Sequence, residues 1–151
     1  MSPGDHTITV RAQNLIKRGE EITIQYLSFM YGHLKRKSTI KDFWHFDCGC
    51  KRCQDPSELK SNLSALKCPD CESGILLPLD SMNPESEWLC GECKHKQSAE
   101  SVRDYVTYCD ELLMETALTD RDRYEKLLQE FLQRLHPNHY IGIKLRTTAT
   151  K

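Results

Sequence analysis

The chain has 151 residues, enough for one large domain or two to three small modules rather than a complete large enzyme. It is 38% hydrophobic and 28% charged with a formal net charge of -1, an ordinary soluble composition with no global pull toward nucleic acid or an anionic membrane. No apolar run approaches the ~18 residues of a membrane span, and the opening Met1-Ser2-Pro3-Gly4-Asp5 is too polar for a secretory signal, so the sequence predicts a cytoplasmic or nuclear protein.

Residues 7–12 alternate, with Ile8, Val10 and Ala12 on one face, and the alternation resumes after Lys17-Arg18-Gly19-Glu20 with Ile22, Ile24 and Tyr26 aligned. This pattern predicts two short strands. Two strands alone are marginal in water, so the pair needs partners that the chain does not show. Residues 32–46 predict a short basic helix, with Lys35, Arg36, Lys37 and Lys41 read as a solvated face around Leu34, Ile40, Phe43 and Trp44. The turn formers Asp55, Pro56, Ser57, Ser61 and Asn62 mark residues 54–66 as a linker. Between Cys71 and Cys90 the pattern is strand, polar turn, strand. The remainder is helical. Ser98 is a candidate N-cap for a stripe of Val102, Val106, Cys109 and Leu113. A second helix starts near Thr119-Asp120, and His136-Pro137 breaks it. Asn138 is a candidate cap for a third helix.

Seven of the eight cysteines fall in tight groups: Cys48, Cys50 and Cys53, then Cys68 with Cys71, then Cys90 with Cys93. In a reducing compartment this spacing points to metal ligands rather than disulfides. Each Cys-x-x-Cys turn aims two thiolates at one point, and a hairpin between the turns brings them together. Cys68, Cys71, Cys90 and Cys93 are therefore assigned to a closed, structural zinc ribbon with no position open to substrate. Cys48, Cys50 and Cys53 supply three ligands of a second site. Either its fourth ligand lies outside this chain, or Cys109 or a histidine such as His45 fills the position. Cys109 sits on a helical apolar stripe and reads first as a buried thiol. Tyr26, Trp44 and Phe46, taken alone, read as core aromatics.

The run from Ile16 to Tyr26, with Gly19-Glu20-Glu21-Ile22-x-Ile24-x-Tyr26, followed by a basic helix and Phe46-Asp47-Cys48-Gly49-Cys50-Lys51-Arg52-Cys53, resembles the end of a SET domain and its post-SET cysteine motif. The order is similar to the SET-and-MYND (SMYD) branch of protein-lysine methyltransferases. The ribbon at 68–93 and the turn His136-Pro137-Asn138-His139-Tyr140 are similar to its arthropod members. The resemblance implies that Tyr26 lines the methyl-transfer channel and orients the lysine amine. It implies that Phe46 packs on the adenine of S-adenosylmethionine. Trp44 stands on the same cofactor side, where the family usually has a second channel tyrosine; an indole has no hydroxyl. The family's Asn-His-x-Cys-x-Pro-Asn loop, which carries cofactor contacts and the fourth post-SET cysteine, is expected upstream of this chain, as are the Gly-x-Gly segment and the MYND finger.

The expected fold is α+β. Residues 1–47 are the C-terminal β-hairpin piece of a SET domain, and 48–56 the post-SET zinc motif. Residues 66–96 are the four-cysteine ribbon, and 98–151 the start of a TPR-like helical-hairpin domain. The expected function is that of a fragment, inactive alone, whose parent methylates a lysine in a protein substrate. The rival is a non-enzymatic zinc-ribbon and helical module that binds proteins. Isolated basic clusters such as Lys94-His95-Lys96 in a near-neutral chain argue against nucleic acid.

Overall fold

The computed structural model describes residues 8–116 and 120–149. Helix α1 (His33–Trp44) buries His33, Arg36 and Ile40, a spacing of three and seven that keeps one face inward. It ends at His45, whose left-handed φ of 57° turns the chain toward the first cysteines. Helix α2 (Lys51–Gln54) is a single turn carrying Cys53. Gly32, just before α1, has no room for a side chain, because a Cβ there would lie 2.6 Å from the Tyr140 ring and 2.7 Å from Ser64 Oγ.

Four short strands, β1 (Leu66–Lys67), β2 (Ile75–Pro78), β3 (Trp88–Cys90) and β4 (Lys96–Gln97), form an antiparallel sheet in sequence order. Leu66 faces Leu76, Leu76 faces Cys90, and Pro78 faces Trp88, so Leu66, Leu76 and Cys90 make one row across the sheet. That row is buried, and it continues without a break into the helices. Val102, Val106, Cys109 and Leu113 of α3 (Ala99–Glu115), Tyr124, Leu127 and Phe131 of α4 (Arg121–Phe131), and Tyr140, Ile141 and Leu145 of α5 (Tyr140–Ala149) complete a single apolar core with the sheet. The sheet is also stitched to the turn after α4. The Lys67 N–H donates to the Arg134 carbonyl (2.7 Å), His136 N–H to Ala65 (3.1 Å) and Tyr140 N–H to Leu63 (2.9 Å). No helix among the described residues is long and apolar enough to cross a membrane.

The helix signals act locally. Ser98 accepts from Ser101 N–H (3.2 Å) and Asp120 from Arg123 N–H (3.0 Å), each capping the helix that follows. Thr119 lies outside the described residues. At α5 the cap is His139 rather than Asn138. The His139 Nδ1 accepts from Ile141 N–H (3.3 Å) and its carbonyl from Ile143 N–H (3.0 Å), while the Asn138 amide donates to the Ser61 carbonyl (3.3 Å).

Three expectations fail. The hairpin expected in the N-terminal part is not formed among residues 8–26. Its turn is present, with Glu20 N–H on the Lys17 carbonyl and Gly19 at φ 85°, but the flanking residues form no strand pair among the described residues. Ile8, Val10, Ile22 and Ile24 are between 66% and 86% exposed. Two strands with no covered face cannot offset the entropy of ordering them. The stretch 54–66 is not a linker. Asp55 accepts from Ser57 N–H, Ser57 Oγ and Leu59 N–H, all at 2.8 Å, and Glu58, Leu59 and Lys60 make a left-handed turn at φ 54–64°. That turn buries the Glu58 carboxylate against Arg36 and Arg52. The basic face of α1 is exposed to solvent only at Lys41; Arg36 is buried, Lys35 bonds Asp110 (3.3 Å), and Lys37 bonds the Ser81 and Met82 carbonyls (2.9 and 2.7 Å).

Burial lowers His139 from 6.5 to about 3, with the His136 charge adding to it, and lowers His33 to about 4, with Arg36 adding to it. Both are held neutral in the fold while the unfolded chain takes up protons below 6.5. Their contribution is complete above that pH and is lost as pH falls toward 4 and then 3, at up to ~1.4 kcal/mol per pH unit for each group. Urea unfolding at pH 7 and pH 5.5 should show a smaller loss in His139→Asn, which keeps an acceptor for Ile141 N–H, than in the wild type. An equal loss in both would clear His139 of the effect.

Candidate metal centres and an aromatic wall

The four-cysteine set is built by the sheet itself. Cys68 follows β1 and Cys90 ends β3, so the antiparallel register that aligns Leu66, Leu76 and Cys90 also brings the two turns together. Each turn is closed by a backbone bond, Cys68 N–H to the Gly74 carbonyl and Cys90 N–H to the His95 carbonyl, both 2.9 Å. The four sulfurs lie within 4.8 Å of one another, with Cys68 and Cys93 at 3.5 Å and Cys71 and Cys90 at 3.7 Å. Bonds of about 2.3 Å from a central zinc make tetrahedral edges of about 3.8 Å, so the set fits a zinc ion. Gly74 closes the floor of the site. A Cβ there would stand 2.4 Å from Cys90 Sγ and 2.6 Å from Cys71 Sγ.

The charge environment suits a cation. The backbone N–H groups of Cys93 and Glu92 draw the Cys90 thiol down to about 6, and Asp70 N–H donates to Cys68 Sγ (3.4 Å). Burial and the neighbouring sulfurs push Cys71 up to about 12, so four thiolates coexist here only around a positive ion.

Cys48, Cys50 and Cys53 form the second group, their sulfurs also within 4.8 Å of one another. The single turn of α2 sets this spacing, with Cys53 N–H bonded to the Cys50 carbonyl (2.8 Å). Cys53 is buried and Cys50 exposed, so the cluster opens to solvent on one side. Neither His45 nor Cys109 joins it. Cys109 is 0% exposed in the core beside Tyr105, where burial raises its pKa to about 11, and it remains a buried thiol. Among the described residues, no other histidine, cysteine or carboxylate completes the trio.

Tyr26, Trp44 and Phe46 converge. The Tyr26 ring meets Trp44 edge-on at 5.5 Å and 73°, and Phe46 at 5.2 Å and 65°. Helix α1 delivers Trp44, its left-handed end at His45 turns Phe46 back, and Tyr26 sits between them. The cluster faces solvent, with Tyr26 43% and Trp44 42% exposed, so it is one wall rather than an enclosed channel. Sequence reasoning missed Glu58. It falls in a polar stretch with no periodicity, and the available clue was Arg36, a charged residue on the same helical face as His33 and Ile40.

No family model matches the chain, and no solved structure matches it. Curated proteins do. The SET domain-containing protein SmydA-8, isoform B, of Drosophila melanogaster is 37% identical over 91 residues, covering 59% of this chain and 20% of that protein. The histone-lysine N-methyltransferase Smyd1 of Mus musculus is 38% identical over 106 residues, 60% of this chain and 22% of that protein. A SET and MYND domain-containing protein of Dictyostelium discoideum is 26% identical over 102 residues, 64% and 19%. The chain spans about a fifth of the length of these relatives. With two cysteine clusters whose geometry suits zinc and a mixed helix and small-sheet fold, the chain is a homologue of one segment of the SET-and-MYND domain proteins.

Proposed function

We propose that the chain supplies one wall of the active site of an S-adenosylmethionine-dependent protein-lysine methyltransferase in the cytoplasm or nucleus, and that these 151 residues alone do not turn over. The observation that carries the reading is the meeting of Tyr26, Trp44 and Phe46 beside the three-cysteine cluster. Methyl transfer to an amine is catalysed mainly by positioning. S-adenosylmethionine, when bound, supplies an electrophilic methyl group. The chain's own part is to hold it and aim the amine. Phe46 and Trp44 offer ring faces to an adenine, and the Tyr26 hydroxyl accepts a hydrogen bond from a neutral lysine amine, which turns its lone pair toward the methyl. Trp44 contributes shape but no hydroxyl, so it cannot share that task. A wall this exposed does not exclude water, hence inactivity in isolation.

In this reading residues 1–47 belong to the catalytic domain, and 48–56 hold a zinc ion whose fourth position is filled from solvent or another part of the protein. Residues 66–96 hold a closed structural zinc, and 98–151 begin a TPR-like helical domain that binds protein partners. The substrate is a protein lysine, as the name of the mouse relative suggests for that relative.

Tryptophan fluorescence tests the wall, because Trp44 is exposed while Trp88 is 2% exposed. Millimolar S-adenosylhomocysteine should quench the exposed emission, and Phe46→Ala should abolish the response without altering the fold. No response at any concentration removes the cofactor wall and leaves the non-enzymatic interaction module. Methyl transfer by this chain alone would overturn its inactivity.

A further inference from the structure

Arg36 is 6% exposed in the middle of a basic helix, and what surrounds it is not a surface. Its Nη1 donates to Glu58 Oε1 and to the Tyr31 carbonyl (2.9 Å), and its Nη2 reaches Cys53 Sγ at 3.7 Å. Glu58 and Cys53 are 1% and 2% exposed. Arg52, on the turn that carries Cys53, reaches the same Glu58 oxygen at 3.2 Å and donates to the Phe29 (2.9 Å) and Tyr31 (3.2 Å) carbonyls. Two guanidinium groups and one carboxylate sum to +1. Arg36 and Glu58 are buried and Arg52 is half-buried, so leaving that sum without a further anion is costly. Three thiolates around a divalent ion sum to -1, and the two groups touch through the Arg36–Cys53 contact.

We infer that Arg36, locked by Glu58, is the positioning residue of the three-cysteine site. It donates a hydrogen bond to the Cys53 thiolate, fixes the direction of that sulfur and neutralises the excess charge of the zinc–thiolate group. The inference rests on the proposal that these cysteines hold zinc, and not on methyl transfer. Arginine suits the place because one planar fork reaches a carboxylate, a carbonyl and a sulfur together, which an ammonium does not. Outer-shell partners of this kind orient metal ligands and tune the strength with which they hold the ion.

The test is zinc release from the purified chain to excess chromophoric chelator, read as two phases, with Cys53→Ser identifying the phase of the three-cysteine site. In Arg36→Met that phase should quicken about 10- to 100-fold, the usual effect of losing an outer-shell partner, while the other phase keeps its rate. Arg36→Lys, which keeps the charge and loses the fork, should fall between. Arg36→Met leaves Glu58 buried without its main counter-charge, so the pair Arg36→Met/Glu58→Gln is measured as well. It should show wild-type helix content and a wild-type ribbon phase while the three-cysteine phase stays fast. Wild-type rates in both variants overturn the inference, as does a wild-type chain that holds one zinc, or a paired variant in which both phases quicken together. Arg36-dependent release from a chain whose Trp44 ignores S-adenosylhomocysteine sinks the methyltransferase reading and leaves this inference standing.

Discussion

Chelation of the four-cysteine site, or Cys90→Ser, is expected to unfold the sheet and the helices together. Cys90 and Leu76 are 0% exposed, Cys68 is buried, and all three lie in the same core as Val102, Phe131 and Ile141. The strands are two to four residues long, too short to hold their register by backbone bonding alone. Structural zinc contributes ~10–16 kcal/mol to small domains, as much as the whole stability of a typical one, ~5–15 kcal/mol. Far-ultraviolet circular dichroism during titration with a strong chelator makes the measurement. The helical signal should fall in one step with loss of the metal. A helical signal that survives would mean that α3, α4 and α5 stand without the ribbon.

Trp88→Ala is the second large effect. Trp88 is among the largest fully buried side chains, and it lies on β3 between Pro78 and Gln97 with its ring in the shared core. Its removal should cost ~3–5 kcal/mol through lost contacts and the cavity left behind. For a chain of this size that is a drop in Tm of roughly 6–20 °C. Thermal melts with zinc present in excess isolate the packing effect from metal loss. A fall of a degree or two would show that the sheet rests on the metal and not on the helices.

The legible parts of the sequence were those whose physics is local. The Cys-x-x-Cys pairs carry their own geometry, and the strands between them follow because the two turns must meet. Ser98 and Asp120 announce helices by capping the next N–H groups, and the stripes through Val102 and Tyr124 fix the inward faces. The resemblance singled out Tyr26, Trp44 and Phe46, but nothing in their spacing requires them to touch, and their meeting is visible only in the fold. Non-local relations stayed hidden. Glu58 gives no periodic signal, yet it anchors two arginines 22 and 6 residues away. The alternation at Ile22 and Ile24 is a true strand pattern, but pattern alone does not supply a partner strand, and these residues stand exposed.

The stitching of β1 to the turn after α4 has a consequence for synthesis. The ribbon's hairpins close between near neighbours, so its metal ligands are complete once Cys93 has been made. The outer edge of β1 is different, because Leu63, Ala65 and Lys67 find their backbone partners at residues 134–140. At ~5–20 residues per second, that edge waits roughly 4–15 s after Lys67 is added. During the wait it presents the open backbone of an edge strand beside an apolar row. The nascent chain is therefore most open to wrong strand pairing while α3 and α4 are being made, and slower translation of that stretch lengthens the interval.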